Sequence, residues 1–485
     1  MLPIAFRPLS PLRGRPCFRA LRSLALVSLA LLPGLAPAQP VSDQPFPVLE
    51  TAMHTALIGR FAVDRAGRYG VSASDDKTAR VWNLADGRLL QTLRVPLGQD
   101  DEGKLYAVAI SPDGERVAVG GWTGPGIAGQ ISVYFFERAS GRIKGHIAGL
   151  PNVVLNLAWS PDGQRLAIAL GEGGIRVHAT RPPYAEIARD ADYGSRSLSV
   201  DFDRSGRLVS TSFDGKLRLY DAALHLQVPP RAVSGGTHPF CARFAPDGGR
   251  IAVGFADSTA VSVVSGTDLA PLQTMDTSAA DNGDLSTVSW SADGRRLFAA
   301  GRNRLGNEQR PVRVFDPAKG RQLAAWPAAT DSVFDLHPFA DGRLLFAAGD
   351  LAWGILSPDG RILTQQAPPI PDHRGNFDGF RLSASGDRLS FTHTTWQQGR
   401  RQSQNIHFDL NTLTLTLGDA APSQNLTPPR RDGLAMEQKD WFSTTKPPLA
   451  GKPLPLRDYE ISRSLAIAAD ARHFALGTEW YVRWF

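Results

Sequence analysis

The chain lacks the short motifs that mark most catalytic and nucleotide-binding sites, and its only cysteines are Cys17 and Cys241. HExxH, G-x-S-x-G and the phosphate-loop GK[ST] are all absent, so nothing indicates a zinc peptidase, a serine hydrolase or a P-loop nucleotidase. Cys241 lies among apolar residues in FCARFA, where we expect a small buried hydrophobic residue rather than a nucleophile. We therefore predict no catalytic residue, no metal site and no cofactor.

A helical period of apolar residues is also missing outside the N-terminus. Short runs of alternating apolar residues follow one another instead, and this pattern predicts strands with one buried face. The 47 Gly and 36 Pro residues are what a fold with many turns needs. The predicted fold class is all-β.

A turn signature ending in Asp-Gly, Ser-Gly or Ala-Gly recurs between these strands at intervals of 42 to 49 residues. Its glycines are Gly67, Gly114, Gly163, Gly206, Gly248, Gly294, Gly342 and Gly386. In the unit that begins at Tyr106, Asp113-Gly114 joins the first two strands, because Gly accepts positive φ and Asp can bond its own backbone. A period of this length with four short strands per unit is typical of a β-propeller. We expect seven or eight four-stranded blades.

The third strands of several units end in an aromatic residue followed by Asp or Asn. These pairs are Trp82-Asn83, Tyr220-Asp221, Phe315-Asp316 and Phe408-Asp409. In this feature the chain resembles the WD-repeat family over about residues 45–417. The resemblance implies a buried, hydrogen-bonded structural set within the first blade. Its members would be His54, Ser72, Asp76 and Trp82.

The first 38 residues contain five Arg but no Lys and no acidic residue. The apolar run 24–38 ends in the A-x-A site 36–38, which predicts a secretory signal peptide over residues 1–38. An uncleaved membrane anchor is the alternative, although the run is short for a bilayer span. This interpretation makes the protein periplasmic or secreted, without a transmembrane span in the mature chain. That chain would have 48 basic and 47 acidic residues, so its charge does not suggest a nucleic-acid partner.

Three connections between second and third strands are longer than the others, namely 121–130, 301–310 and 394–405. In the WD-repeat plan such loops share one face of the propeller. They offer Trp122, Arg302, Arg304, Arg310, Trp396, Arg400 and Arg401. Because Trp and Arg are enriched at interface hot spots, we expect this face to bind an acidic peptide or protein. Variable solvated loops are the alternative.

The end of the chain allows two explanations. A Pro-rich segment, 418–458, predicts a linker or extended arm, and 459–485 has the pattern of a partial further repeat. Either the ring closes by pairing strands from both ends of the chain, with the segment from Phe46 as the other strand, or the repeat opens a truncated second propeller. In the second case the chain resembles part of larger bacterial WD-repeat proteins, some of which carry a caspase-like peptidase domain.

The function expected from these features is a non-catalytic scaffold that binds a protein or peptide on one loop face. A propeller enzyme, or a metal- or ligand-binding propeller with a site at the central channel, is an alternative. The inner strands at 106–111, 154–160 and 286–291 are apolar and offer Ser instead of acids, which does not favour it. A fragment of a larger multidomain protein is the third possibility.

Overall fold

The computed structural model describes most of the chain from Ala52 to Phe485. The residues outside the description are 1–51, 99–100, 125–128, 307–308, 368–380, 384, 386, 398–399, 410, 413, 419–425, 428–446, 450–451, 457–461, 468–472 and 479–481. The predicted signal segment 1–38 is therefore not described.

Seven antiparallel sheets of four consecutive strands form the blades, which we number in chain order with strands a to d in each. Blades 1 to 4 consist of β1 (Ile58–Val63), β2 (Tyr69–Ser74), β3 (Thr78–Asn83), β4 (Leu89–Arg94); β5 (Lys104–Ile110), β6 (Arg116–Trp122), β7 (Ile131–Glu137), β8 (Ile143–Leu150); β9 (Val154–Trp159), β10 (Arg165–Leu170), β11 (Ile175–Ala179), β12 (Glu186–Asp190); and β13 (Ser197–Phe202), β14 (Leu208–Ser212), β15 (Lys216–Tyr220), β16 (Arg231–Ala232). Blades 5 to 7 consist of β17 (Pro239–Phe244), β18 (Arg250–Phe255), β19 (Val261–Ser265), β20 (Pro271–Thr274); β21 (Thr287–Trp290), β22 (Leu297–Ala300), β23 (Arg310–Asp316), β24 (Arg321–Ala329); and β25 (Val333–Pro338), β26 (Leu344–Ala348), β27 (Trp353–Leu356), β28 (Ile362–Gln366). The prediction of an all-β propeller is confirmed, with seven blades in the ring.

The recurring turn signature forms the a–b hairpin of each blade for a local reason. In blade 2, Gly114 has φ +77° and its N–H donates to the Ser111 carbonyl at 2.8 Å. The Asp113 carboxylate accepts the Ser111 hydroxyl and, at 3.0 Å, the Glu115 N–H. The hairpin is thus closed by backbone and side-chain bonds that need Gly and Asp at these positions.

The apolar core is divided among the seven junctions between blades. Each junction has its own buried cluster with residues from both neighbouring sheets. Strand a is inner and buried, whereas the outermost strands β12 and β20 are largely exposed. Both faces of a blade therefore bury apolar surface, and most of the stabilisation comes from between blades.

The junction between blades 7 and 1 closes the ring. Phe61 and Trp82 of blade 1 each lie 5.5 Å from Trp353 of blade 7 between ring centroids. The Phe61 N–H donates to the Asp335 carboxylate at 3.2 Å. Blades 1 and 7 each take their four strands from one continuous segment, so neither of them exchanges a strand between the ends of the chain.

An arginine at or just before the start of strand b connects each of four blades to the next. The guanidinium lies 4.7 to 5.4 Å from the centroid of an aromatic ring in the following blade, which is a cation–π distance. The pairs are Arg116 with Trp159, Arg165 with Phe202, Arg207 with Phe244, and Arg250 with Trp290. The same guanidinium groups donate to the carbonyl of the next hairpin glycine at 2.6 to 3.5 Å. The arginine that follows the turn glycine therefore holds two neighbouring blades together through both kinds of contact.

Three smaller sheets follow the ring in sequence. The first has the strand order β32-β31-β30-β29-β33 and consists of β29 (Arg381–Ser383), β30 (Arg388–Gln397), β31 (Arg400–Asp409), β32 (Thr414–Gly418) and β33 (Leu426–Thr427). It contains the predicted loop 394–405, most of which is paired strand, since Thr394 faces Ser403 and Gln397 faces Arg400.

The last described part of the chain combines the arm and the partial repeat. The hairpin β34 (Pro448–Leu449) and β35 (Lys452–Pro453) precedes a three-stranded sheet of β36 (Ser462–Ile467), β37 (Phe474–Thr478) and β38 (Val482–Trp484). Leu454 shares a buried cluster with Phe474 and Leu476. The domain boundaries 45–417, 418–458 and 459–485 stay predictions.

We predict that Arg207→Leu destabilises the propeller by at least about 2 kcal/mol. The substitution leaves the Asp203 carboxylate, which Arg207 Nε approaches to 2.8 Å, buried without its cation, and it removes the bond to the Gly248 carbonyl. Arg204→Leu is the matched control, because Arg204 is exposed in the same hairpin. Urea unfolding of both variants measures the difference, and an equal midpoint for the two would contradict the structural role of Arg207.

Candidate functional site

The four residues of the predicted structural set lie together in blade 1. His54 Nδ1 is 2.9 Å from Asp76 Oδ2 and its Nε2 is 2.7 Å from Ser72 Oγ, which also accepts the Trp82 indole N–H at 2.8 Å. Burial alone would raise the pKa of Asp76, but hydrogen bonds from His54 and Thr78 hold that pKa at about 2. His54 and Ser72 are fully buried, so the set connects strands and is closed to a substrate.

The seven predicted partner-face residues are divided among three places. Trp122 ends β6 in blade 2, whereas Arg302, Arg304 and Arg310 belong to the b–c connection of blade 6, so they lie on different parts of the ring. Trp396, Arg400 and Arg401 are in β30 and β31, and their side chains lie outside the described part of the structure.

The blade 6 arginines line one open cavity of about 770 Å³. Its other lining residues are Asn282, Gly283, Gly306, Asp331 and Ser332. The loop is held in shape by Asn282, whose Oδ1 accepts the Arg304 N–H at 2.8 Å, and by the Leu305–Gln309 bridge. We call this the blade 6 cavity.

The three guanidinium groups of the blade 6 cavity have different partners. Arg302 pairs with the buried Asp284 carboxylate and donates to the Ala256 carbonyl at 2.8 Å, so it connects blade 6 to blade 5. Arg304 is exposed, and its guanidinium has no hydrogen bond or ion pair with any described residue. Arg310 Nε and Nη1 are buried and likewise find no hydrogen-bond partner within the described residues. Two of the three arginines thus have side-chain N–H groups that no described residue accepts.

The electrostatics of Arg310 follow from this arrangement. Burial lowers its pKa, and the neighbouring Arg304 lowers it further, while Asp331 and Asp284 act in the opposite direction. A guanidinium stays charged in spite of such shifts, because its ordinary pKa is above 12. An anion in the cavity would relieve both the lost hydration and the repulsion between the two arginines.

The central channel contains charged side chains that the sequence analysis missed. Arg60 on β1 crosses the channel, since its Nη2 donates to the Leu198 carbonyl of blade 4 and its Nη1 to the Phe334 carbonyl of blade 7, both at 3.3 Å. Arg243 on β17 donates to Ser199 Oγ at 3.0 Å and lies 3.8 Å from Asp335. Strands a of blades 1, 4, 5 and 7 are therefore joined by polar groups.

Two aspartates of this channel have opposite pKa shifts. Burial would raise the pKa of Asp335, but His337, Arg243 and Arg60 hold that pKa well below its usual range. Burial raises the pKa of Asp201 to about 6, although Arg243 and the Phe244 N–H partly oppose the shift. The channel thus holds one well-paired carboxylate and one poorly paired carboxylate.

The expectation that the inner strands offer no acid was wrong for blades 4 and 7. It rested on three strands, 106–111, 154–160 and 286–291, which belong to blades 2, 3 and 6. The missed signal was the alternation of polar residues throughout SLSVDF and, from Asp335 onward, in VFDLHP, since one face of strand a points to the channel. Across the described parts of the chain, no three His, Cys, Asp or Glu side chains form a set that could hold a metal ion.

Comparison with known proteins supports a WD-repeat propeller. Residues 47–83 and 194–221 match the family model described as WD domain, G-beta repeat. These matches end at Trp82-Asn83 and Tyr220-Asp221, the pairs that close strand c in blades 1 and 4. A fold of this kind is typical of protein-interaction scaffolds. The bacterial relatives and the peptidase domain that the sequence suggested are not among these findings.

Curated relatives match over a smaller part of the chain. The Ribosome biogenesis protein BOP1 homolog of Drosophila willistoni is 34% identical over 112 residues, which is 22% of this chain and 13% of the relative. Its counterpart in Drosophila melanogaster is 40% identical over 81 residues, 16% of this chain and 10% of the relative. The chain therefore spans about an eighth or less of the length of these relatives.

The prediction of a periplasmic or secreted protein is contradicted by these relatives. They are named ribosome biogenesis proteins, and this name does not describe an exported protein. The prediction rested on residues 1–38 alone, namely their arginines, the apolar run and the A-x-A site. Arg-rich starts also occur in other targeting segments. None of the described residues forms a helix with the length and apolar character of a membrane span.

We predict opposite effects of two matched substitutions in the channel. Asp201→Asn removes a carboxylate that is costly to ionise, so it should stabilise the protein at pH 7.5 by at most about 3 kcal/mol. Asp335→Asn removes the carboxylate beside Arg243 and Arg60, so it should destabilise the protein by about 3 kcal/mol.

The pH dependence checks the sign of the Asp201 effect. The pKa of Asp201 is raised to about 6 in the folded protein. The ionised carboxylate therefore lowers the free energy of unfolding by its full amount above pH 6, and it no longer does so below about pH 4. Urea unfolding at pH 7.5 and pH 4.5 should show the Asp201→Asn gain shrinking at the lower pH. A loss of stability at both values would contradict the pairing described here.

Proposed function

We propose that this chain is a non-catalytic protein-interaction scaffold that binds an acidic segment of a protein partner on its b–c loop face. The observation that carries the proposal is the blade 6 cavity, where Arg304 and Arg310 lack partners among the described residues. A cofactor is not required for binding of this kind.

The ring supports this role because it holds the loop rigidly. Arg313 on β23 is fully buried and donates to Asn303 Oδ1, Gln322 Oε1 and the Ala279 carbonyl at 2.6 to 2.8 Å. The loop that presents Arg304 is therefore tied to its own blade from beneath. A loop whose backbone is held before binding loses little conformational entropy on binding.

Charge supports an acidic partner. Arg302 is neutralised by Asp284, and Asp331 is the remaining acid among the residues that line the cavity. Arginine pairs with carboxylates and phosphates through charge-assisted hydrogen bonds that are stronger than neutral ones. Arg is also among the residues that contribute most to interface energy.

The relatives support a scaffold within a larger assembly. Their name, ribosome biogenesis protein, describes proteins that act in building a multicomponent particle. We infer that this chain likewise brings protein partners together through its propeller. The matched segment covers only 13% of the Drosophila willistoni relative, so the proposal concerns the propeller's binding role rather than the whole relative's task.

Site-specific photo-crosslinking tests the proposed face. A benzoylphenylalanine at Leu305, which is 41% exposed in the loop, should form discrete adducts with a protein partner in the cells that make this protein. The same probe at Leu323, which is 47% exposed on the outer strand β24 of the same blade, is the control. Mass spectrometry identifies the adducts.

Adduct formation at position 305 should depend on Arg304 and Arg310. Arg304→Glu with Arg310→Glu should abolish the adducts from position 305, because like charges would then face an acidic partner. Adducts that form equally at both probe positions, or that survive the two substitutions, would show that this face is not the binding site.

A further inference from the structure

We infer that the blade 6 cavity binds the phosphate group of a phosphorylated side chain on the protein partner. This inference rests on the proposed function and specifies its ligand chemistry. It follows from the number and kind of unpaired donors in the cavity, and from the presence of a single acid, Asp331, among its described lining residues.

The donors exceed what one carboxylate can use. Arg304 brings a whole guanidinium with five N–H bonds, and Arg310 adds the hydrogens of Nε and Nη1. A carboxylate has two oxygens, whereas a phosphate monoester has three and carries close to two charges at neutral pH. A phosphate can therefore bond to both arginines at once and still accept the Ser332 hydroxyl, which also lines the cavity.

The shape of the loop leaves room for such a group. A Cβ added at Gly306 would meet nothing within 4 Å, although Gly306 has φ +64° and lines the cavity. Gly283, at φ +68°, also lines the cavity and brings its backbone close to that of Arg302 and Asn303. The arginines therefore lie along a cavity bounded partly by backbone, which a charged group of several atoms can enter.

Two acidic residues near the cavity affect how strongly it should bind a phosphate. Asp284 is buried and paired with Arg302, so its carboxylate does not form an ion pair with Arg304 or Arg310. Asp331 lines the cavity, and its Oδ1 accepts the Ser332 N–H at 2.6 Å. Its charge repels a phosphate, so Asp331→Asn should strengthen phosphate binding, whereas an anion site elsewhere would not respond.

Fluorescence anisotropy with two labelled peptides tests the inference on the full chain. The peptides are Gly-Ser-Gly-X-Gly-Ser-Gly with phosphoserine or glutamate at X, and inorganic phosphate serves as competitor. At pH 7.5 we expect the phosphoserine peptide to bind at least tenfold more tightly. That ratio should fall toward one at pH 5, where the phosphate loses its second charge.

Three variants assign the binding to this cavity. Arg310→Gln and Arg304→Gln should each weaken binding of the phosphoserine peptide at least tenfold, and Asp331→Asn should tighten it severalfold. Arg295→Gln, which removes an arginine that is 87% exposed at the opposite hairpin of blade 6, should change nothing. Arg304 is exposed, so its variant remains informative even where Arg310→Gln folds poorly.

The outcomes separate this inference from the proposed function. Equal binding of both peptides, or phosphoserine binding that survives Arg304→Gln, would overturn the phosphate inference. If adducts still form at position 305 in either case, the scaffold function stands with a carboxylate ligand. Loss of those adducts after phosphatase treatment of the partner would support the phosphate inference directly.

Discussion

The contact between neighbouring blades is the interaction on which the rest of this structure depends. A single four-stranded sheet of this chain has two apolar faces and could not bury them alone. Seven junctions, each with its own cluster, cover both faces of every blade. The cluster of Phe61, Trp82 and Trp353 is one of the seven, so the ring must close for the first and last blades to be stable.

Closure also decides what lies at the centre. Strands a approach one another around the channel, and residues that are far apart in the chain meet there. Arg60 of blade 1, for example, donates to the Phe334 carbonyl of blade 7 across a separation of 274 residues. Arg60 and Arg243 share Asp335 as a nearby anion. A buried ion pair of this kind costs desolvation, so its value lies in specific pairing as much as in net stability.

Arginine side chains have three roles in this protein, and these roles differ in what the guanidinium group pairs with. Arg207 is held by Asp203 and the Gly248 carbonyl at a junction, and Arg60 is held by carbonyls in the channel. Arg304 and Arg310 have no such partners among the described residues. An unpaired guanidinium in a cavity has hydrogen bonds to offer a ligand, whereas a paired one contributes to the fold.

The local pattern of the chain was enough to predict the all-β class, the hairpins at Gly67 and its repeats, and a propeller of seven or eight blades, because turns and alternation depend on neighbouring residues. The ring size was left open, since Gly386 also follows the turn pattern but comes after the seventh blade has closed against the first. The loop pattern likewise predicted that Arg302, Arg304 and Arg310 belong to one connection. It could not show which of them lacked a hydrogen-bond or ion-pair partner. Asp284 lies 18 positions from Arg302 and in another connection, and the residues of the channel meet only across the ring. Tertiary structure decided these points, because pairing and burial depend on which distant segments meet in space.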